Sequence, residues 1–134
     1  MAEVLAARGV VETMLVNADD GLDELSLGTP STVYVVTGDG VRVERLDAAA
    51  ELGRHHSAEA IRGADVTHNV AVVHRFLAGE PGPVFDVACA NAALALITAD
   101  RAENLSEGFD MAAESVRSGR AGESLERLIA VSNA

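Results

Sequence analysis

At 134 residues the chain holds one domain at most, and at 49% hydrophobic it carries enough apolar material for a core. Ten basic residues against 21 acidic ones give a formal net charge of −11, which excludes the basic surface that a nucleic-acid backbone or an anionic membrane would need. No apolar run approaches the ~20 residues of a bilayer span, no signal-peptide core opens the chain, and the lone Cys89 has no partner for an internal disulfide, so a cytoplasmic location is expected. Aromatics make up only 3%, so the core must be built from Ala, Val, Leu and Ile, which suits close-packed helices against a small sheet.

In chain order, Ala2 to Ala7 are mostly strong helix formers, and Gly9 is a stop. Glu12 to Val16 is short and mainly apolar, a strand that runs into the turn Asn17-Ala18-Asp19-Asp20-Gly21. TVYVV, TGDG and VRVERL follow and predict a β-hairpin about Asp39-Gly40. After Asp47 the period turns helical. Asp65 is placed to cap a helix whose Val66, Val70, Val73 and Leu77 share a face. Gly79 stops it, and Pro83 suits the first turn of the next helix, VFDVACANAALALI, which is apolar almost all round and should be buried on most sides. Asn104 and Glu107 resemble a capping box before a face of Leu105, Phe109, Ala112 and Val116. Gly119 ends that helix, and Leu125, Leu128 and Ile129 mark a final one. The expected fold class is α/β: a small sheet with a hairpin, then about four packed helices.

The most informative stretch is Asp19-Asp20-Gly21-Leu22-Asp23-Glu24-Leu25-Ser26, with four carboxylates in six residues just after a predicted strand. A turn opened by Gly21 frees Asp23 and Glu24 from the opposite-face rule of a strand. Mg²⁺ typically takes one or two carboxylates and completes its sphere with water and substrate phosphates. Such a turn could therefore hold a diphosphate through a metal, in a chain too acidic to hold it directly. Taken alone, a short acidic cluster is more commonly a solvated turn.

DDGLDELS resembles the acidic signature of anthranilate phosphoribosyltransferases. The similarity continues through SLGTPSTV, GADVTHN, LAGEPGPVFD, ANAALAL, AENLSEGFDMA and SGRAGESLERLIAVS. The resemblance implies that residues 1–134 are the C-terminal part of the α/β domain of that family, a partial catalytic domain of the nucleoside phosphorylase/phosphoribosyltransferase class. It implies Asp23 and Glu24 as Mg²⁺ ligands, with Asp19 and Asp20 as weaker candidates, and no side-chain nucleophile. It implies phosphoribosyl pyrophosphate and anthranilate as substrates in tryptophan biosynthesis, and a homodimer. This chain departs from the family pattern at Asn17-Ala18, Gly28-Thr29-Pro30-Ser31, Gly63-Ala64-Asp65 and Phe85, the last where an Arg is common. No GTGGD-like phosphate loop and no helical anthranilate-binding and dimer region are found in it. The expectation is a fragment, a mis-assigned start or half of a split protein, inactive by itself and without catalytic or substrate-binding residues of its own. A pyrimidine nucleoside phosphorylase and a non-catalytic interaction module are the alternatives.

Other candidates carry less. His55-His56 has no Cys or His set to complete a metal site and reads as a surface loop. His68 and His74, six apart, do not share a helix face well. Cys89 reads as a core thiol, and Gly38-Asp39-Gly40 as a hairpin turn. Asn69 and Asn91 read as helix-packing hydrogen bonders.

Overall fold

A computed structural model describes all 134 residues. Helix α1 (Ala2–Ala7) leads into strands β1 (Glu12–Ala18), β2 (Ser31–Thr37) and β3 (Gly40–Leu46), followed by helices α2 (Ala48–Leu52), α3 (Val66–Leu77), α4 (Pro83–Thr98), α5 (Leu105–Arg117) and α6 (Arg120–Ser132). A single 3₁₀ turn, Ala58–Ile61, lies between α2 and α3. The strands form one antiparallel sheet in the order β1-β2-β3, which leaves β1 at an open edge. Behind Asp47 there are thus five helices, one more than the pattern predicts.

The local signals act as expected at most boundaries. Asp47 accepts a hydrogen bond from the Ala50 amide (3.0 Å), and Asp65 one from the His68 amide (2.8 Å), so both cap helix starts. Asn104 accepts from the Glu107 amide at 2.9 Å, but the Glu107 carboxylate accepts from the Glu103 amide (2.8 Å) rather than from that of Asn104 itself. β1 runs two residues beyond Val16, because Asn17 and Ala18 still pair with Thr32 and Ser31. In the hairpin, Thr37 pairs with Gly40, so Gly38 and Asp39 are the loop, and Gly40 takes the positive φ of +123°.

The core gathers around α4. Phe85, Val87, Cys89, Ala90, Ala93 and Leu94 of α4 meet Leu105, Phe109, Ala112, Ala113 and Val116 of α5, with Leu25 and Leu27 from the loop after β1. Small residues let the two helices approach closely: a Cβ on Gly108 would stand 2.8 Å from the Cβ of Ala93. The apolar stripes of α3 and α6 lie largely open. Val66, Val70 and Val73 are 78%, 49% and 43% exposed, and Leu128 and Ile129 are 63% and 52% exposed. Both segments are helical, as their period predicts. What covers a stripe depends on which elements lie opposite, and α3 meets the core mainly through Phe76, whose ring is 6.0 Å from that of Phe85.

Candidate functional site

The acidic stretch begins where β1 ends at the buried Ala18. Gly21, at φ +91°, donates to the Ala18 carbonyl (3.0 Å), and the Ala18 amide donates to the Leu22 carbonyl (3.0 Å), which closes a tight turn that favours glycine. Leu25, Ser26 and Leu27 then plunge into the core, at 0%, 2% and 1% exposed. The chain between Ala18 and Leu25 is thereby pinned at both ends.

The four carboxylates separate into two kinds. Asp19 takes a two-pronged ion pair from Arg45 (3.0 and 2.6 Å), and Arg45 also donates to Thr32 Oγ1 at 2.7 Å. The hydrogen bond from Arg45 holds the Asp19 carboxyl below its ordinary pKa, and Asp19 raises that of Arg45 in return. Both groups are exposed, so the pair contributes little to stability. Asp20 accepts from Ser26 Oγ (2.7 Å) and from the Leu22 amide (3.3 Å), and Ser26 Oγ accepts in turn from the Gly28 amide (2.9 Å). Asp19 and Asp20 are therefore engaged in holding the turn. Asp23 and Glu24 are exposed and have neither a hydrogen-bond partner nor an ion-pair partner. Both line a cavity of about 540 Å³ between β1 and α4, with Met14, Val16, Asn91 and Leu94. Asp23 also borders a cavity of about 890 Å³ on the opposite face of the sheet, beside Leu15, Tyr34 and Val43.

No three His, Cys, Asp or Glu side chains come together to encircle a metal. Two free carboxylates facing one cavity are nonetheless the donor set that Mg²⁺ takes when water and phosphate oxygens fill its other positions. The residues fit a metal shared with a phosphorylated ligand and do not fit an all-protein cage.

Sequence reasoning missed a second cluster. Asp86 in α4 is buried, accepts from Arg54 Nη1 at 3.1 Å, and lies 2.7 Å from His56 Nε2. Arg54 also stacks 4.6 Å over the Phe109 ring. His56 is thus half-buried and paired, a correction to its reading as a surface-loop residue, whereas His55 is exposed. The available signal was Asp86 itself, because a carboxylate in an otherwise apolar helix needs a partner. This segment also crosses the loop after β1: the His56 amide donates to Leu27 O (2.9 Å), and a Cβ on Gly28 would come within 2.8 Å of His56 O. The cluster braces the loop that carries the acidic turn.

Of the remaining candidates, His68 and His74 are exposed and unpaired. Cys89 is buried, and burial, with Asp86 adding to it, pushes its thiol up to about 11, which keeps it protonated and unreactive near neutrality. Asn69 holds both the amide (2.9 Å) and the carbonyl (3.3 Å) of Ala64. Phe85 is buried, and Arg117 of α5 lies 5.3 Å over its ring, so a cation reaches this region from another helix.

Residues 1–122 match the family model described as "Glycosyl transferase family, a/b domain", and the chain belongs to that family. Within it, the chain is similar to anthranilate phosphoribosyltransferases: it is 43% identical to that of Thermomicrobium roseum and 44% to that of Thermobifida fusca, with all of this chain aligned in each case. The chain spans 39–40% of the length of these curated relatives. Solved structures agree in fold. The anthranilate phosphoribosyltransferase of Thermus thermophilus is 32% identical with a TM-score of 0.75, covering 92% of this chain and 36% of that one. The Saccharomyces cerevisiae enzyme in complex with 4-fluoroanthranilate is 27% identical with a TM-score of 0.82, over 92% of this chain and 36% of that one. The same enzyme in complex with PRPP and Mg is 26% identical with a TM-score of 0.78, over 86% of this chain and 33% of that one. No helix here is long and apolar enough to cross a membrane.

Proposed function

We propose that residues 1–134 form the C-terminal part of the α/β domain of an anthranilate phosphoribosyltransferase, and that Asp23 and Glu24 are its Mg²⁺ ligands. The substrates of this reading are phosphoribosyl pyrophosphate and anthranilate. The observation that carries it is the division of the acidic turn, in which Asp19 and Asp20 are engaged and Asp23 and Glu24 are free beside a common cavity. A relative solved with PRPP and Mg supports the choice of metal and substrate.

The chemistry asked of this chain is positional. Bound Mg²⁺ would neutralise charge on the departing pyrophosphate. Asp23 and Glu24 supply oxygen ligands on a turn fixed before any ligand arrives, so little ordering is required at the moment of binding. Without an intervening cation the two carboxylates would repel a diphosphate, which makes binding metal-dependent.

The test fuses this chain behind the part of the Thermomicrobium roseum relative that it does not match, and follows anthranilate consumption while Mg²⁺ is titrated. Turnover should require Mg²⁺. Asp23→Ala and Glu24→Ala should each lower the rate by about 10²-fold or more. Stability should change by only about 0.5 kcal/mol or less, because both carboxylates are exposed. The 134-residue chain alone should not turn over, for want of a glycine-rich loop whose amides would cradle the diphosphate. Variants that keep both the parental rate and the parental Mg²⁺ dependence would show the metal assignment to be wrong.

A further inference from the structure

We propose that Asn91 is the positioning residue of the acidic pair, a side-chain clasp on α4 that fixes the backbone carrying Asp23 and Glu24. The inference rests on the metal reading above and adds the residue through which the fold enforces it. Asn91 Oδ1 accepts from the Leu25 amide at 2.8 Å, and Asn91 Nδ2 donates to the Leu25 carbonyl at 3.0 Å. Nδ2 donates a second bond, also 3.0 Å, to the Val87 carbonyl one helical turn back. Three bonds on one primary amide use both its donor hydrogens and its acceptor, and only one orientation of the amide satisfies all three.

The placement matters as much as the bonds. Leu25 immediately follows Glu24, lies 66 residues away from Asn91 in sequence, and is fully buried. Its amide and carbonyl both bond the Asn91 side chain of α4, and neither has a partner among the loop and turn backbone bonds. Without Asn91 the Leu25 amide would be a buried donor with no acceptor, and the turn would have to shift to satisfy it. Asn91 also lines the cavity that Asp23 and Glu24 line, so the clasp stands directly behind the pair. On the other side the Asp20–Ser26 bond closes the turn. The free carboxylates thus sit on about two residues of chain held between a side-chain bridge and a helix that belongs to the core. Only Asn and Gln offer two donor hydrogens and an acceptor in one planar group, and the shorter stem of Asn suits a backbone packed against its own helix.

The test uses the fusion protein described above, with Mn²⁺ and inorganic pyrophosphate together as the probe and Val87→Ala as a control that trims a core side chain of the same helix but keeps the carbonyl that Asn91 bonds. In the wild type, the Leu25 amide should exchange as slowly as those of α4, while Asp23 and Glu24 amides exchange quickly. Asn91→Ala should speed Leu25 exchange by about tenfold relative to Val87→Ala, compared at equal global stability. It should also weaken selective Mn²⁺ broadening of the Asp23 and Glu24 amide resonances by several-fold, with no such loss in Val87→Ala. The clasp is overturned if Leu25 already exchanges as fast as Asp23 in the wild type, or if Asn91→Ala and Val87→Ala behave alike in both readouts. Wild-type fusion that shows no selective Mn²⁺ broadening in the presence of pyrophosphate refutes the metal reading instead, and the exchange ratio still decides the clasp. If Asn91→Ala fails to fold, the wild-type exchange pattern alone decides it.

Discussion

Asp19 and Asp20 are the same residue type as Asp23, four and three positions before it, yet only Asp23 and Glu24 remain free to bind anything. Their neighbours decide this: Arg45 arrives from β3 and Ser26 from the far side of the turn. Cys89 shows the same dependence on surroundings, since burial first, and Asp86 after it, raises its thiol to about 11. That shift predicts an alkaline instability. The unfolded thiol ionises near its ordinary value of 9.0 while the folded one stays protonated to about 11. The unfolded state therefore binds fewer protons in that interval, and stability falls as pH rises from about 9 to about 11, by up to about 3 kcal/mol. The ten basic residues are all Arg, so no lysine titrates in the same window. Urea unfolding at pH 8 and pH 10.5 should show a steeper loss for the wild type than for Cys89→Ala. Parallel losses would mean that the thiol is not shielded.

At the scale of elements, the contact between α4 and α5 organises the core, and it depends on a missing side chain. A methyl on Gly108 would meet the Ala93 Cβ at 2.8 Å, its Cα at 2.9 Å and its carbonyl at 3.1 Å. Neither backbone can yield locally, so Gly108→Ala should destabilise the chain by about 1–3 kcal/mol through overpacking. Gly122 in α6 is the counterpart. A Cβ there meets nothing within 4 Å, and its φ is not positive, so Gly122→Ala should stabilise by about 0.5–1 kcal/mol. Thermal melts of the two variants should move in opposite directions. A Gly108→Ala protein as stable as the wild type would show that the helices are less tightly apposed than described.

For the molecule as a whole, the sheet is the exposed element. β1 has a partner on one side only, carries Met14, Leu15 and Val16, and has neither Pro nor a basic residue to discourage pairing. Cavities flank it on both faces, and the stripes of α3 and α6 add further exposed apolar surface. The 134-residue chain in solution should therefore self-associate. Sedimentation velocity across a hundredfold range of concentration should show larger species growing in, and the melting transition should depend on concentration. A single monomer with one cooperative transition at every concentration would contradict this.

Several features were determined by the sequence alone, because they are local. The caps at Asp47, Asp65 and Asn104, the stops at Gly79 and Gly119, the hairpin and the buried face of α5 each depend on a few adjacent residues and on the period of the chain. The acidic turn after β1 was legible for the same reason, and the ordered series of motifs pointed to the family that residues 1–122 match. Tertiary structure alone decided the rest. It assigned Arg45 to Asp19, Arg54 and His56 to Asp86, and Asn91 to Leu25, pairings across 26 to 66 residues that no periodicity encodes. It also left the stripes of α3 and α6 open, since a helix's own pattern shows that it has an apolar face and not what lies against it. Short-range forces write themselves into neighbouring residues. The freedom of Asp23 and Glu24, by contrast, follows from where Arg45 and Ser26 find their partners, on Asp19 and Asp20.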